Sequence, residues 1–279
     1  MRYLVVIGDS RRMSEVKDNS VHLVVTSPPY WGLVKFSEVE GDLSRIESKE
    51  EFFEELKAVW KECFRVLVPG GYLVCEWEDY PVGSRVYGYV REIFLAGDMV
   101  RSIEEAGFVL VSRWFWKKFK YGVGVKKFQY LDYTNLLRGV EPRALSNVAY
   151  VFCFRKGNVV RKWKKEFSRG EWKEWSDGVW YIDAGGEAGA SEYIEGGAVF
   201  PVELVRRLIR LYTERGETVL DPFLGTGTTM RAAFETGRNC IGYEINPKML
   251  EVIKKKVGFG SATLTGEKVE WEVIVRAGR

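Results

Sequence analysis

Two loops constrain what this chain of 279 residues can fold into more than any other feature. One is Thr26-Ser27-Pro28-Pro29-Tyr30-Trp31, and the other is Asp221-Pro222-Phe223-Leu224-Gly225-Thr226-Gly227-Thr228-Thr229. Each directly follows a short apolar run, Val21-His22-Leu23-Val24-Val25 in the first case and Thr218-Val219-Leu220 in the second. Such runs mark strands buried on both faces, which belong to parallel sheets covered by helices. A stiff, polar-tipped loop at the carboxyl end of such a strand is where open α/β sheets hold ligands. The expected fold class is therefore α/β, a mostly parallel sheet with helices on both faces.

The rest of the chain reads consistently with that expectation. Residues 3–7 are Val/Ile-rich and read as a first strand, too short and too soon interrupted for a signal peptide. The segment 32–47 is polar and irregular and reads as a flap. Ser48 and Glu51 form a capping-box pair ahead of a helix whose apolar face is Phe53, Leu56, Trp60, Phe64 and Leu67. Pro69-Gly70-Gly71 stops it, and Tyr72–Trp77 is the next strand. A helix over 98–106, strands over 108–116 and 149–154, a helix opened by Pro201, and a βαβα unit over 218–257 follow. Residues 269–276 alternate as an edge strand.

Composition narrows the class further. At 46% hydrophobic the chain can bury a substantial core, and no run of about 18 apolar residues suggests a membrane span. The scattered Cys63, Cys75, Cys153 and Cys240 lack metal-ligand spacing and read as small apolar residues in a reducing cytoplasm. With His22 the only histidine, neither a zinc site, nor a histidine-based triad, nor any other metal site is expected. Abundant Lys, Arg and Glu beside a single glutamine, Gln129, is a hyperthermophile-like bias.

In the second loop, glycines at 225 and 227 let backbone N–H groups at a helix start approach a ligand closely. No Gly-Lys-Ser/Thr follows, so it is not a phosphate-gripping loop, and Met230 stands where a dinucleotide fingerprint needs its third glycine. Glu244, nineteen residues beyond Gly225 at the end of the next strand, is placed to accept hydrogen bonds from ribose hydroxyls. In the first loop, the Ser27 hydroxyl and the Pro28 carbonyl can accept hydrogens from an exocyclic amino group. Pro28 and Pro29 stiffen the loop, and Tyr30 offers a ring for stacking a base.

Ser27-Pro28-Pro29-Tyr30, the Asp221–Thr229 loop and the downstream Gly242-Tyr243-Glu244 together resemble the permuted S-adenosylmethionine-dependent amino-methyltransferases of nucleic acids. The resemblance covers most of residues 3–155 and 199–257. It implies a Rossmann-like, circularly permuted methyltransferase fold with a seven-stranded sheet and S-adenosyl-L-methionine as cofactor. It also implies that Asp221, Pro222, Phe223, Gly225, Thr226, Gly227, Thr228, Thr229 and Glu244 bind that cofactor. By the same resemblance Phe200 and Pro201 face its methionine part and Asp9 its adenine amino group, although an aspartate after a strand is equally read as a turn residue. In this family Ser-Pro-Pro-Tyr usually accompanies cytosine N4 methylation and Asp-Pro-Pro-Tyr adenine N6 methylation, so Ser27 points to cytosine N4, with adenine N6 the alternative because some serine-bearing members modify adenine. No cysteine here follows a proline, which argues against ring-carbon cytosine methylation.

The expected organisation is a catalytic half, 1–155, a short basic and aromatic lobe or linker, 156–198, and a cofactor half, 199–279. Between Lys156 and Lys173 seven basic residues face Glu166 and Glu171 alone. Lys117, Lys118, Lys126, Lys127, Arg161, Lys162, Lys164 and Lys165 are candidates for phosphate contacts, with Trp31 as a candidate stacking residue. The lobe is small for reading duplex DNA, which keeps structured RNA open beside DNA as the partner, for a monomer or a homodimer. A non-catalytic nucleic-acid binder retaining a relict cofactor pocket is the non-enzyme alternative.

Overall fold

A computed structural model describes residues 1–32, 35–82, 91–118, 137, 148–183, 201–260 and 269–276. Among these residues nine strands form one sheet: β1 (Arg2–Ile7), β2 (Val21–Thr26), β3 (Leu67–Trp77), β6 (Phe108–Lys117), β7 (Val148–Lys156), β8 (Val179–Tyr181), β9 (Thr218–Asp221), β10 (Asn239–Glu244) and β11 (Glu270–Val275). Their order is β11-β1-β10-β9-β2-β3-β7-β6-β8, and only β7 runs against its neighbours. The sheet thus exceeds the expected seven strands by two short edge strands, β11 and β8. A two-stranded ribbon, β4 (Tyr80–Val82) with β5 (Arg91–Ile93), stands apart.

Helices α1 (Lys49–Val66) and α2 (Ala96–Glu105) cover one face. On the other lie α3 (Arg169–Trp175), α4 (Val202–Tyr212), α5 (Thr228–Thr236) and α6 (Met249–Val257). Two apolar cores result, one under each helical layer, as the doubly apolar strands require. Successive crossovers step outward in opposite directions: β2–α1–β3 one way and β9–α5–β10 the other. The reversal lies between β9 and β2, which pair directly through Leu23 with Val219 and Val24 with Leu220. Ligand sites of open α/β sheets sit outside the carboxyl ends at such a reversal. Both signature loops leave the sheet there.

Several sequence expectations shift in detail. The buried face of α1 is Phe52, Leu56, Val59, Trp60, Cys63 and Val66, a quarter-turn from the expected one. Phe53 and Phe64 flank it, edge-on to Phe52 and Phe108. Pro69-Gly70-Gly71 does not end the helix: α1 stops at Val66, and the tripeptide bulges within β3, where pairing jumps from Val21–Leu67 to Leu23–Tyr72. The Ser48 cap closes only on the Glu51 N–H, and the reciprocal box forms at Ser168 and Glu171 instead. The described part of the expected flap is tied down, with Asp42 capping a short 3-10 turn and Ser37 donating to Asp42.

The interval expected as an appended lobe is, over its described residues 156–183, part of the main body. β8 pairs with the end of β6, and Trp175, Trp180 and Ile182 enter the same core as α4. Trp114 and Trp116 are both buried there, donating to the carbonyls of Trp175 and Ile182. Arg207 and Arg210 of α4 pair with Glu174 and Glu171 of α3. The glycine-rich remainder of the interval lies outside the described residues.

Candidate active site

Because β2 and β9 are adjacent and parallel, the loops after Thr26 and Asp221 emerge side by side, about 4.8 Å apart at their roots. One buried carboxylate joins them. Asp221 Oδ1 accepts from Thr26 Oγ1 at 2.8 Å and from the Phe223 N–H at 3.0 Å, while Oδ2 accepts from Thr229 Oγ1 at 2.6 Å. Asp221 is 1% exposed, and burial pushes its carboxyl up to about 6. Its place is therefore between the two loops, fastening the start of one to both ends of the other.

The glycine bend is built by backbone conformations other residues resist. Gly225 and Gly227 have φ of +53° and +91°, in the left-handed region. Gly227 then starts α5, with Thr228 and Thr229 in its first turn. Leu224 anchors the bend by lying against Gly242, where an added Cβ would meet Leu224 Cδ2 at 2.5 Å. Glu244 closes the other side: Oε2 accepts from the Gly225 N–H at 2.9 Å and Oε1 from the Asn246 N–H at 2.8 Å. Enclosure by these loops raises the Glu244 carboxyl to about 7. Each of its oxygens keeps a lone pair able to take one ribose hydroxyl. The donor set fits an adenosyl cofactor. Pro201 caps the start of α4 at this same end of the sheet, and Phe200 lies outside the described residues. Lys256 of α6 donates to Thr228 Oγ1 at 2.6 Å and Thr226 Oγ1 at 3.2 Å, drawing the loop onto the helix layer.

Asp9 lies at the end of β1, beside Glu244, since the Gly8 N–H donates to the Glu244 carbonyl at 2.8 Å. Its carboxylate is already engaged: Oδ1 accepts from the Arg11 N–H at 2.8 Å, a turn-forming contact, and both oxygens take the Arg11 guanidinium. Arg11 in turn reaches Glu55 and the Gly41 carbonyl. Of the two readings open for Asp9, adenine ligand or turn former, these contacts are those of a turn former.

In the catalytic loop the side chain that organises everything is one that sequence reasoning missed. Glu76 Oε2 accepts from Ser27 Oγ at 2.7 Å and from the Tyr30 hydroxyl at 2.9 Å. Its other oxygen, Oε1, is buried and has no hydrogen-bond partner among the described residues, and the residue is 4% exposed. Burial raises the Glu76 carboxyl, opposed chiefly by the charge of Lys118. The signal available was a charged residue inside the otherwise apolar strand Tyr72–Trp77. Tyr30 itself is buried, its ring tilted against Trp77 at 5.0 Å and edge-on to Tyr80 at 6.3 Å. It braces the loop more than it offers a face to a base. Pro28 is buried and Pro29 partly so, while Trp31 is half-buried with its indole N–H on the Glu47 carbonyl at 3.2 Å.

The basic candidates separate. Lys117 ends β6 at the site's end of the sheet, its ammonium 5.5 Å from the Tyr181 ring. Lys118 is a correction: it is buried and ion-paired with Glu78, unavailable to phosphate. Arg161 and Lys165 are a second correction, being engaged within the fold, and Lys162 and Lys164 lie with them at the amino ends of the strands. Arg161 pairs with Glu217 and bonds the Tyr212 carbonyl, the Lys164 N–H bonds Glu214, and Lys165 sits over Trp163. Glu217 lies level with Val21 of β2, six residues before Ser27, so this strip is about 20 Å from the Ser27 loop along the strands. Lys126 and Lys127 lie outside the described residues.

A permuted α/β sheet with a Ser-Pro-Pro-Tyr loop and a glycine bend at its reversal point defines the class, and comparison agrees. The N6/N4 methyltransferase family model, described as DNA methylase, matches residues 21–255. The type II methyltransferase M.MjaI of Methanocaldococcus jannaschii is 35% identical over 286 residues, 91% of this chain and 90% of the relative. M.MthZI of Methanothermobacter thermautotrophicus is 32% identical, covering 98% and 79%. The structure of TTHA0409 of Thermus thermophilus complexed with S-adenosyl-L-methionine aligns over 99% of this chain and 100% of that one, at 30% identity and a TM-score of 0.74. The cytosine-N4-specific PvuII DNA methyltransferase, 21% identical with a TM-score of 0.65, shares the fold. The chain belongs to the N4/N6 DNA methyltransferase family and is an S-adenosylmethionine-dependent enzyme of that class. Among the described residues no helix is long and apolar enough to cross a membrane.

Proposed function

We propose that this chain methylates the exocyclic N4 of cytosine in DNA. The observation that carries the reading is the buried Ser27–Glu76–Tyr30 cluster beside the glycine bend. An exocyclic amino nitrogen is a poor nucleophile because its lone pair is delocalised into the ring. With its own proton committed to Glu76, Ser27 Oγ presents only lone pairs outward, where it accepts one amino hydrogen. The Pro28 carbonyl accepts the other, and the nitrogen turns toward tetrahedral geometry. When bound, the cofactor supplies an electrophilic methyl on a sulfonium. Once methylated, the amino nitrogen would carry one proton too many. That proton passes to Ser27 Oγ while the Ser27 proton moves to Glu76. A carboxylate whose affinity for protons is raised by burial suits this role.

In this reading Asp221 positions both loops, while Glu244 and the backbone of Gly225–Thr229 hold the adenosyl and methionine parts. Trp31 and Lys117 meet the DNA at the carboxyl edge. The choice of cytosine over adenine rests on Ser27, the residue that usually accompanies N4 chemistry in the family. Incubation with labelled cofactor and separate DNA and RNA pools, followed by nucleoside mass spectrometry, tests it. N4-methylcytosine in DNA is the expected product. N6-methyladenine, or label confined to RNA, would overturn the reading.

A further inference from the structure

The family model spans residues 21–255, yet the adenosine end of the cofactor crevice is bordered by residues outside that span at both chain ends. The turn after β1, residues 8–12, runs alongside Glu244. One neighbour, β10, holds it through the Gly8 N–H on the Glu244 carbonyl. On the other side a single residue at the far end of the chain holds it. The Arg276 N–H donates to the Ile7 carbonyl at 3.0 Å, as the last contact of β11. Its guanidinium then folds under the turn. Nη1 donates to the Asp9 carbonyl at 2.8 Å and Nη2 to the Arg12 carbonyl at 2.5 Å. Nε and Nη2 also grip Glu15, which in addition accepts from the Tyr243 hydroxyl at 2.9 Å.

We infer that Arg276 is a positioning residue for the adenosine end of the cofactor site, acting through the 8–12 turn and Glu244. Two backbone carbonyls of one short turn bonded to one planar guanidinium fix the turn's orientation, which a lysine's point charge cannot do. Gly8 is part of the same fit: a Cβ there would stand 2.7 Å from Arg276 Cδ. The 8–12 turn therefore excludes side chains where the arginine stem passes. The ion pair with Glu15, held well ionised with its carboxyl lowered to about 2, keeps the guanidinium from swinging out to solvent. Nothing in this arrangement touches the Ser27 loop, so its influence is confined to cofactor affinity. The inference rests on the proposed contact of Glu244 with the ribose, which puts the nucleoside end beside the 8–12 turn through the Gly8–Glu244 hydrogen bond.

The experiment compares Arg276→Ala, Arg276→Lys and Gly8→Ala with Glu244→Ala, measuring dissociation constants for S-adenosylmethionine and for adenosine alone by calorimetry. Arg276→Ala is expected to weaken both ligands by the same factor, about tenfold, with kcat at saturating cofactor and KM for DNA within twofold of the parent. Arg276→Lys recovers part of the loss. Gly8→Ala, which keeps every charge and displaces the arginine stem, reproduces the split and decides the matter if Arg276→Ala does not fold. Unchanged adenosine binding in both turn variants, with Glu244→Ala weakened, would overturn this inference alone. Unchanged adenosine binding in Glu244→Ala would overturn the site reading beneath it. Parallel loss of cofactor affinity, kcat and DNA binding would reduce Arg276 to a structural brace and likewise end the proposal.

Discussion

At the scale of residues, the candidate site turns on two carboxylates, one buried and one partly buried, with opposite partners. Glu76 takes two hydroxyl donors and keeps one oxygen empty, whereas Glu244 takes two backbone N–H donors. Ser27→Ala removes the hydrogen-bond relay but leaves the glycine bend intact. Turnover should fall by about 100-fold or more with cofactor affinity nearly unchanged. Glu76→Gln should match it, since an amide accepts the hydroxyl but takes no proton. Single-turnover kinetics beside equilibrium cofactor binding checks both, and equal losses of rate and affinity would instead mark the loop as structural. Glu244 predicts a pH effect of definite sign. Its proton affinity in the unliganded fold is raised to about 7, and ribose hydroxyls are better accepted by the anion. Cofactor affinity should therefore weaken as pH drops through about 7, and binding near that pH should release protons, readable by calorimetry in buffers of different ionisation enthalpy. The same raised value means the folded apo protein holds this proton more tightly than the unfolded chain does. Its contribution to stability thus falls as pH rises from about 4.5 to 7.

At the scale of elements, the site depends on how one strand lets a loop lie down. β10 carries Gly242 opposite Leu224, and no larger residue leaves that space free. Gly242→Ala sets a methyl 2.5 Å from Leu224 Cδ2 within a packed interior. Such overpacking costs about 1–3 kcal/mol. The displaced Leu224 should carry Gly225 with it, so thermal denaturation and cofactor titration should fall together in this variant. A stable Gly242→Ala protein with full affinity would show that the bend is held elsewhere, by Lys256 and Glu244. The element expectations that the structure corrects fail for related reasons. Aromatic character suggests burial and so points Phe53 and Phe64 at the core. Two packing surfaces, the sheet and α2, instead draw Phe52, Val59 and Cys63 inward. Pro69-Gly70-Gly71 reads locally as a stop, yet β2 provides pairing on both sides of it, and the ladder simply steps over the bulge.

For the molecule as a whole, the sheet has a working edge and a structural edge. The carboxyl edge bears both loops, Glu244, Trp31 and Lys117, while the amino edge bears the Arg161–Lys165 strip, locked onto α4 and β9. Reversing charge with Lys162→Glu and Lys164→Glu should leave KM for DNA within about twofold, because screening over roughly two Debye lengths removes their influence at about 0.15 M salt. A rise of tenfold or more, measured at fixed salt, would place DNA on that edge after all. Much of this molecule is legible in its sequence. Both loops, the strands feeding them and Glu244 can be read because a doubly buried strand followed by a rigid polar loop is a local pattern, carried by consecutive residues. Glu76, Arg276 and the true side of the basic strip cannot, for each acquires meaning from neighbours 49 to 267 positions away. Residue order alone determined which chemistry the chain carries and on what kind of sheet. Only folding decided which carboxylate meets the serine hydroxyl, which terminus braces the 8–12 turn, and which basic residues lie at the amino ends of the strands, because strand order is a property of pairing between distant segments.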